Sequence, residues 1–155
     1  MFRKMRRKEY GLTQAEAESI LANGSHGVLA LDGDEGYTYA LPVNYAYENN
    51  KIYFHSATAG HKIDAIKKND KVSFCVVAKD YVIPEKFDTN YRSAIAFGKI
   101  RILENDDEKQ NGLEALIRRF SPDYMEKGKE EIKKEWDIVA VIEIEIEHLT
   151  AKEGR

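Results

Sequence analysis

The sequence predicts a β-rich α+β domain, an antiparallel barrel with helices packed outside it, and two observations carry that expectation. Six segments have strand character, joined by turns or short helical crossovers. The regular strand–helix–strand alternation that would signal a doubly wound parallel sheet is absent. A chain of 155 residues with 43% hydrophobic content can bury one compact core and is short for two. One domain over 1–155 is therefore expected, with no internal repeat, low-complexity tract or linker to divide it.

The first eight residues hold five cations, Arg3, Lys4, Arg6, Arg7 and Lys8. Such an arm can grip phosphate backbones, but it usually accompanies a basic domain. Here 27 acidic residues outnumber 24 basic ones and the net charge is −3, so a solvated or partner-docked terminus is preferred, with neither nucleic acid nor membrane as partner. Thr13-Gln14-Ala15-Glu16 has the form of a capping box and Asn23-Gly24 that of a helix stop, which predicts a short helix over 13–22. Residues 27–31 and 37–47 read as two strands of a hairpin around Asp32-Gly33-Asp34-Glu35-Gly36. Pro42 cannot donate to a ladder, which places it at an edge, at a bulge, or where backbone is left free for a ligand.

A third strand, 51–56, runs into Ala57-Thr58-Ala59-Gly60 and a short helix with Ile63, Ala65 and Ile66 on its apolar face. Residues 71–77 alternate as a strand. Within it Cys75, the only cysteine, sits at an ordinary packing position, excludes an internal disulfide and fits a reducing compartment. Residues 78–90 read as a long loop that lids or lines a site, and 91–103 as a long strand bent or bulged at Gly98. Leu113, Leu116, Ile117 and Phe120 define an amphipathic helix over 106–120, and Ser121-Pro122-Asp123 starts a second, more charged one running to Trp136. The last strand, 137–148, alternates isoleucines with Glu143, Glu145 and Glu147, which predicts one wet face. No run of about 18 apolar residues or signal-peptide core occurs, so a cytoplasmic location is expected.

The segment 52–66 is where chemistry is best concentrated. A phosphate needs donors and positive charge converging on one point, and Ser56, the amides after Gly60, His61 and Lys62 can supply them. Composition alone leaves a second reading of equal weight, in which His61, Lys62, Lys67 and Lys68 are the solvated face of a short helix. His26, His55, His61 and His148 show no two-histidine metal spacing, so no metal site is expected. No Gly-x-Gly-x-x-Gly follows a strand and no Gly-x-Ser-x-Gly elbow exists. His26 and Trp136 are read as structural.

Phe54-His55-Ser56-Ala57 with Gly60-His61-Lys62-Ile63-Asp64-Ala65, preceded by Leu41-Pro42-Val43-Asn44-Tyr45 and followed by Tyr91-Arg92-Ser93 and Phe97-Gly98-Lys99, resembles the FMN-binding split-barrel flavoproteins. Within that superfamily of pyridoxamine-phosphate-oxidase-related proteins, the chain is most similar to the nitroimidazole-resistance (Nim-type) branch. The resemblance covers nearly the whole chain, including the opening Met1-Phe2-Arg3-Lys4-Met5-Arg6-Arg7-Lys8. It implies a mainly β, six-stranded antiparallel split barrel with peripheral helices, acting as a homodimer with one FMN at each of two sites in the subunit interface.

Residue by residue, it implies that His61 and Lys62 hold the FMN phosphate, and that His55 and Ser56 flank the flavin and its phosphate. It implies that the backbone of Pro42, Val43, Asn44 and Tyr45 lies beside the isoalloxazine, and that Ser93, with Arg92 beside it, reaches the flavin from across the dimer. His61 stands where the family more often has Arg, so phosphate affinity is expected to be weaker and pH-sensitive, with Lys62 the steadier charge. The tail from Glu147 to Arg155 does not reproduce the basic, histidine-containing motif of true pyridoxamine-phosphate oxidases, which disfavours vitamin B6 oxidation.

Two classes of function lead, ahead of a third, nucleic-acid binding through the basic arm. The first is an oxidoreductase that moves electrons from NAD(P)H, a transient donor, through FMN to a small planar acceptor such as a nitro-aromatic (nitroimidazole) compound. His55 is its candidate catalytic residue, either as a proton donor beside the ring or, with equal weight, as a pocket wall with no proton role. The second is a module that binds or carries flavin or haem without turnover.

Overall fold

Thr13 opens the first helix as the capping box requires: its side chain accepts from the Glu16 N–H (3.2 Å) and its hydroxyl donates to the Glu16 carboxylate (3.1 Å). In the computed structural model, which describes residues 1–154, this cap starts α1 (Gln14–Asn23). The chain continues as β1 (His26–Asp32), β2 (Thr38–Asn44), β3 (Ala46–Glu48), β4 (Lys51–Ala57), α2 (His61–Lys68), β5 (Lys71–Ile83), β6 (Asp88–Ile102), α3 (Asp106–Phe120), α4 (Met125–Glu135) and β7 (Val139–Gly154). Asn105 caps α3 by accepting from the Glu108 N–H (3.0 Å).

The seven strands form one sheet in the order β2-β1-β5-β6-β7-β4-β3, each neighbouring pair antiparallel. β2 and β3 lie at opposite ends of that order, yet only Tyr45 separates them in the chain. The sheet must therefore curl until its two edges meet, which makes a barrel split along one seam. Its interior is filled by inward residues of all the long strands, among them Leu29, Phe54, Phe74, Val76, Ala96 and Ile142. A second core of Tyr53, Leu103, Leu113, Leu116, Ile132 and Val141 lies between the outer face of β4 and β7 and the α3–α4 pair.

Four sequence expectations change. There are seven strands, not six, because Tyr45 turns inward and interrupts the long second run: its ring is fully buried edge-on to Phe74 (5.0 Å between centroids) and its hydroxyl donates to the Leu21 carbonyl (2.6 Å). The expected loop at 78–90 is instead the far end of a β5–β6 hairpin, laddered from Lys79↔Arg92 to Ile83↔Asp88 and turning through Pro84–Lys86. Tyr81 and Val82, neighbours on opposite faces, are both exposed, so no buried face imposes an apolar alternation on that end. The last strand extends to Gly154 rather than ending at His148. Its glutamate face is also not uniformly wet, because α3 covers Glu143, which is 2% exposed and accepts from Arg101 Nε (3.1 Å) with Lys51 Nζ 3.9 Å away. Burial, reinforced by the neighbouring Glu143 charge, pushes the Tyr53 hydroxyl up.

Gly98 marks the bulge expected of it, since the β6–β7 register shifts between Phe97 and Gly98. A Cβ there would stand 2.3 Å from the Glu145 carbonyl oxygen, so the strands can approach only around glycine. Cys75 is half-buried, and burial pushes its thiol up, as befits a packing residue.

Candidate flavin site at the barrel seam

The seam brings the end of β2 next to the end of β4. Asn44 from β2 and His55, Ser56 and Ala57 from β4 line one cavity of about 850 Å³, whose far wall is built by α3 and α4. β2 is an edge strand, so Pro42 interrupts no ladder on its outer side, as its chemistry requires. Pro42 and Asn44 point outward, while Val43 packs its side chain on the core. The buried Tyr45 side chain serves the core as well, so Val43 and Tyr45 can offer a ligand only backbone. Asn44 is oriented by donating through Nδ2 to the Ser25 carbonyl (3.0 Å).

Past β4 the chain turns through Gly60, whose φ of +131° suits only glycine, and enters α2 with no side-chain cap. The first-turn amides of α2 thus face outward beside His61 and Lys62. Lys62 is half-buried, and among the described residues no hydrogen bond or ion pair engages its ammonium. The His61 ring stacks on Tyr39 of β2 (4.0 Å between centroids, 16° between planes) with Nε2 3.6 Å from the Asp34 carboxylate. The Ser56 hydroxyl donates to the adjacent Ala57 carbonyl (2.8 Å). His55 is exposed on the outer face of β4, opposite Val141.

Arg92 and Ser93 are not part of this cluster. Ser93 pairs with Lys152 on β7, eleven residues beyond Val141, the partner of His55, which corresponds to up to roughly 35 Å along a strand. Arg92 is held by Glu153 (3.2 Å) and faces Glu16 (3.9 Å). Sequence reasoning did not identify Tyr39 and Asp34, the partners of His61. The apolar face of the 106–120 helix, which the sequence shows, includes Ile117 and Phe120, and the structure makes these two cavity wall together with Ile138. The signal was present in Phe120, one apolar residue more than the buried face of α3 uses.

The family model for pyridoxamine 5'-phosphate oxidase matches residues 13–153, and the chain belongs to that family. No curated protein matches it. Among solved structures, a candidate 5-nitroimidazole antibiotic resistance protein from Bacteroides thetaiotaomicron is similar at 23% identity, covering 92% of this chain and 86% of that one with a TM-score of 0.75. A conserved hypothetical protein from Mycobacterium tuberculosis aligns at 16% identity over 97% and 90% of the two chains, TM-score 0.83. An FAD and heme binding protein from Mycobacterium smegmatis aligns at 21% identity over 92% and 72%, TM-score 0.76. At these identities the likeness is one of fold, and it bears out the split barrel.

Proposed function

We propose that the chain is an FMN-binding flavoprotein that acts as a homodimeric oxidoreductase, reducing a small planar acceptor of the nitro-aromatic kind with electrons from NAD(P)H. The observation that carries this reading is the seam cavity lined by Asn44, His55 and Ser56, with the uncapped α2 N-terminus and Lys62, whose ammonium has no partner among the described residues, following β4 a few residues on. The donor set fits a phosphate monoester: a point charge, a hydroxyl and free amides, with no acidic group on the first turn of α2 before Asp64. Lys62, Ser56 and the amides after Gly60 would hold the phosphate, and the β2 backbone from Pro42 to Tyr45 the ring. His61 joins them by leaving its stack on Tyr39.

When bound, FMN supplies the two-electron chemistry. The protein's part is to seat the ring against the β2 edge, to keep water from one side of it with the α3–α4 wall, and to hold a proton on the His55 imidazole beside the acceptor. Arg92 and Ser93 lie too far along the sheet to join this cluster within one chain, so in this reading they reach the site of a second copy. The exposed outer face of β1, β5 and β6, with Val28, Val77 and Ile95, supplies the apolar surface for that pairing. No helix among the described residues is long and apolar enough to cross a membrane.

Anaerobic addition of NAD(P)H to the FMN-loaded protein, followed by a nitroimidazole, tests the enzyme reading. Bleaching by the donor and recovery of colour on adding the acceptor are expected. A bound flavin that no nicotinamide donor bleaches would leave a carrier instead.

A further inference from the structure

The cavity beside His55 has a chemistry of its own, opposite to that of the α2 end. At one end of the seam stand Lys62 and His61. At the other, the wall is apolar, with Leu116, Ile117, Phe120, Ile132, Ile138 and Val139 contributing. Phe120 and Ile138 remain 42% and 64% exposed, large apolar side chains that the core leaves unused. The absence of a Cβ at Gly128 of α4 lets Ile117 of α3 sit against the α4 backbone, since a Cβ would stand 2.6 Å from Ile117 Cδ1, and both residues line the cavity.

The carboxylates on this lining are Glu131 and Glu135, one turn apart on α4, and no Lys or Arg lines it with them among the described residues; His55, the proton-holding group of the proposed mechanism, stands on the β4 wall of the same cavity. Lys134 lies 3.5 Å from Glu131, an exposed pair that solvent screens. A volume of about 850 Å³ with an apolar wall and a few convergent polar groups suits one small organic molecule.

We infer that this cavity is the acceptor subsite, and that it takes a neutral or cationic aromatic molecule in preference to an anionic one of the same shape. The proposal rests on the flavin reading for the word acceptor, but the binding preference stands on the cavity alone. Charge would then sort the two ligands along the seam, the cofactor's phosphate at α2 and an uncharged or positive ring at α4. A phosphorylated acceptor would be repelled by the two carboxylates.

Calorimetric titration of the FMN-loaded protein with 4-nitrobenzyl alcohol and with 4-nitrobenzoate, which share a ring and differ in charge, tests it. The alcohol should bind about tenfold tighter, and the Glu131→Gln/Glu135→Gln double variant should raise affinity for the benzoate about tenfold while leaving the alcohol unchanged. Phe120→Ala, a change at an exposed position, should weaken both about tenfold. Equal affinities in the unmodified protein, or a preference that survives the double variant, would overturn the proposal, as would indifference to Phe120→Ala. If absorbance shows that no FMN is taken up, the flavoprotein reading fails by itself, and the same two titrations on the flavin-free protein decide the cavity's preference by the same criteria.

Discussion

In the proposed flavin site, Lys62 is the residue on which phosphate retention would turn. Among the described residues no hydrogen bond or ion pair engages its ammonium, and it stands in the first turn of a helix that no side chain caps. Lys62→Ala should weaken FMN binding by about 1.5–3 kcal/mol, the usual worth of a charge-assisted hydrogen bond. Fluorescence titration with FMN checks this, and an unchanged dissociation constant would remove Lys62 from the site. Tyr45 carries a different prediction. Burial pushes its hydroxyl up to about 12 from an ordinary value of 10.0. A raised folded-state value means that stability is fully present below pH 10 and is lost as pH climbs toward 12, by up to about 2–3 kcal/mol. Denaturant unfolding from pH 9 to 12 should show that loss in the native protein. In Tyr45→Phe it should be smaller, after an initial cost of about 1 kcal/mol for the lost bond to Leu21.

At the scale of elements, the β6–β7 bulge and the α3–α4 pair shape the barrel around the seam. Gly98→Ala would drive a methyl into the Glu145 carbonyl, and a rigid ladder on both sides leaves it nowhere to go. A loss of about 2–3 kcal/mol in urea unfolding is expected; a change within 0.5 kcal/mol would show that the bulge relaxes freely. Local chemistry made several elements readable in advance: the Thr13 capping box, the Gly98 bulge, the Pro42 edge and the α3 periodicity all act within a few residues of themselves. The β5–β6 hairpin end was not readable, because backbone pairing alone holds Lys79 to Ile83 and no buried face imposes a period of two. Glu143 failed for the complementary reason. Its neighbours Glu145 and Glu147 do face water, and only the docking of α3, remote in sequence, buries the third member of the row. The His61–Tyr39 stack likewise joins two elements that sequence spacing cannot bring together.

For the whole molecule, the proposed flavin site would be half formed at the seam, and a second copy docked on the open sheet face would complete it. Val28, Cys75 and Ile95 stand side by side in register across β1, β5 and β6. Two of the three are large apolar side chains left more than 40% exposed. A second copy docked there would cover them and carry its Ser93 toward the first copy's ring. Ile95→Lys sits on this outer face, so the barrel should still fold, while sedimentation should show a monomer and flavin retention should fall. A dimer of undiminished affinity would place the interface elsewhere.

The visible absorption spectrum of the protein after saturation with FMN and removal of unbound flavin bears most directly on what this seam holds. A flavin spectrum at about one FMN per chain, lost on Lys62→Ala, is the expected result. Flavin that washes away completely, or a Soret band from the protein as purified in place of flavin absorbance, would contradict it.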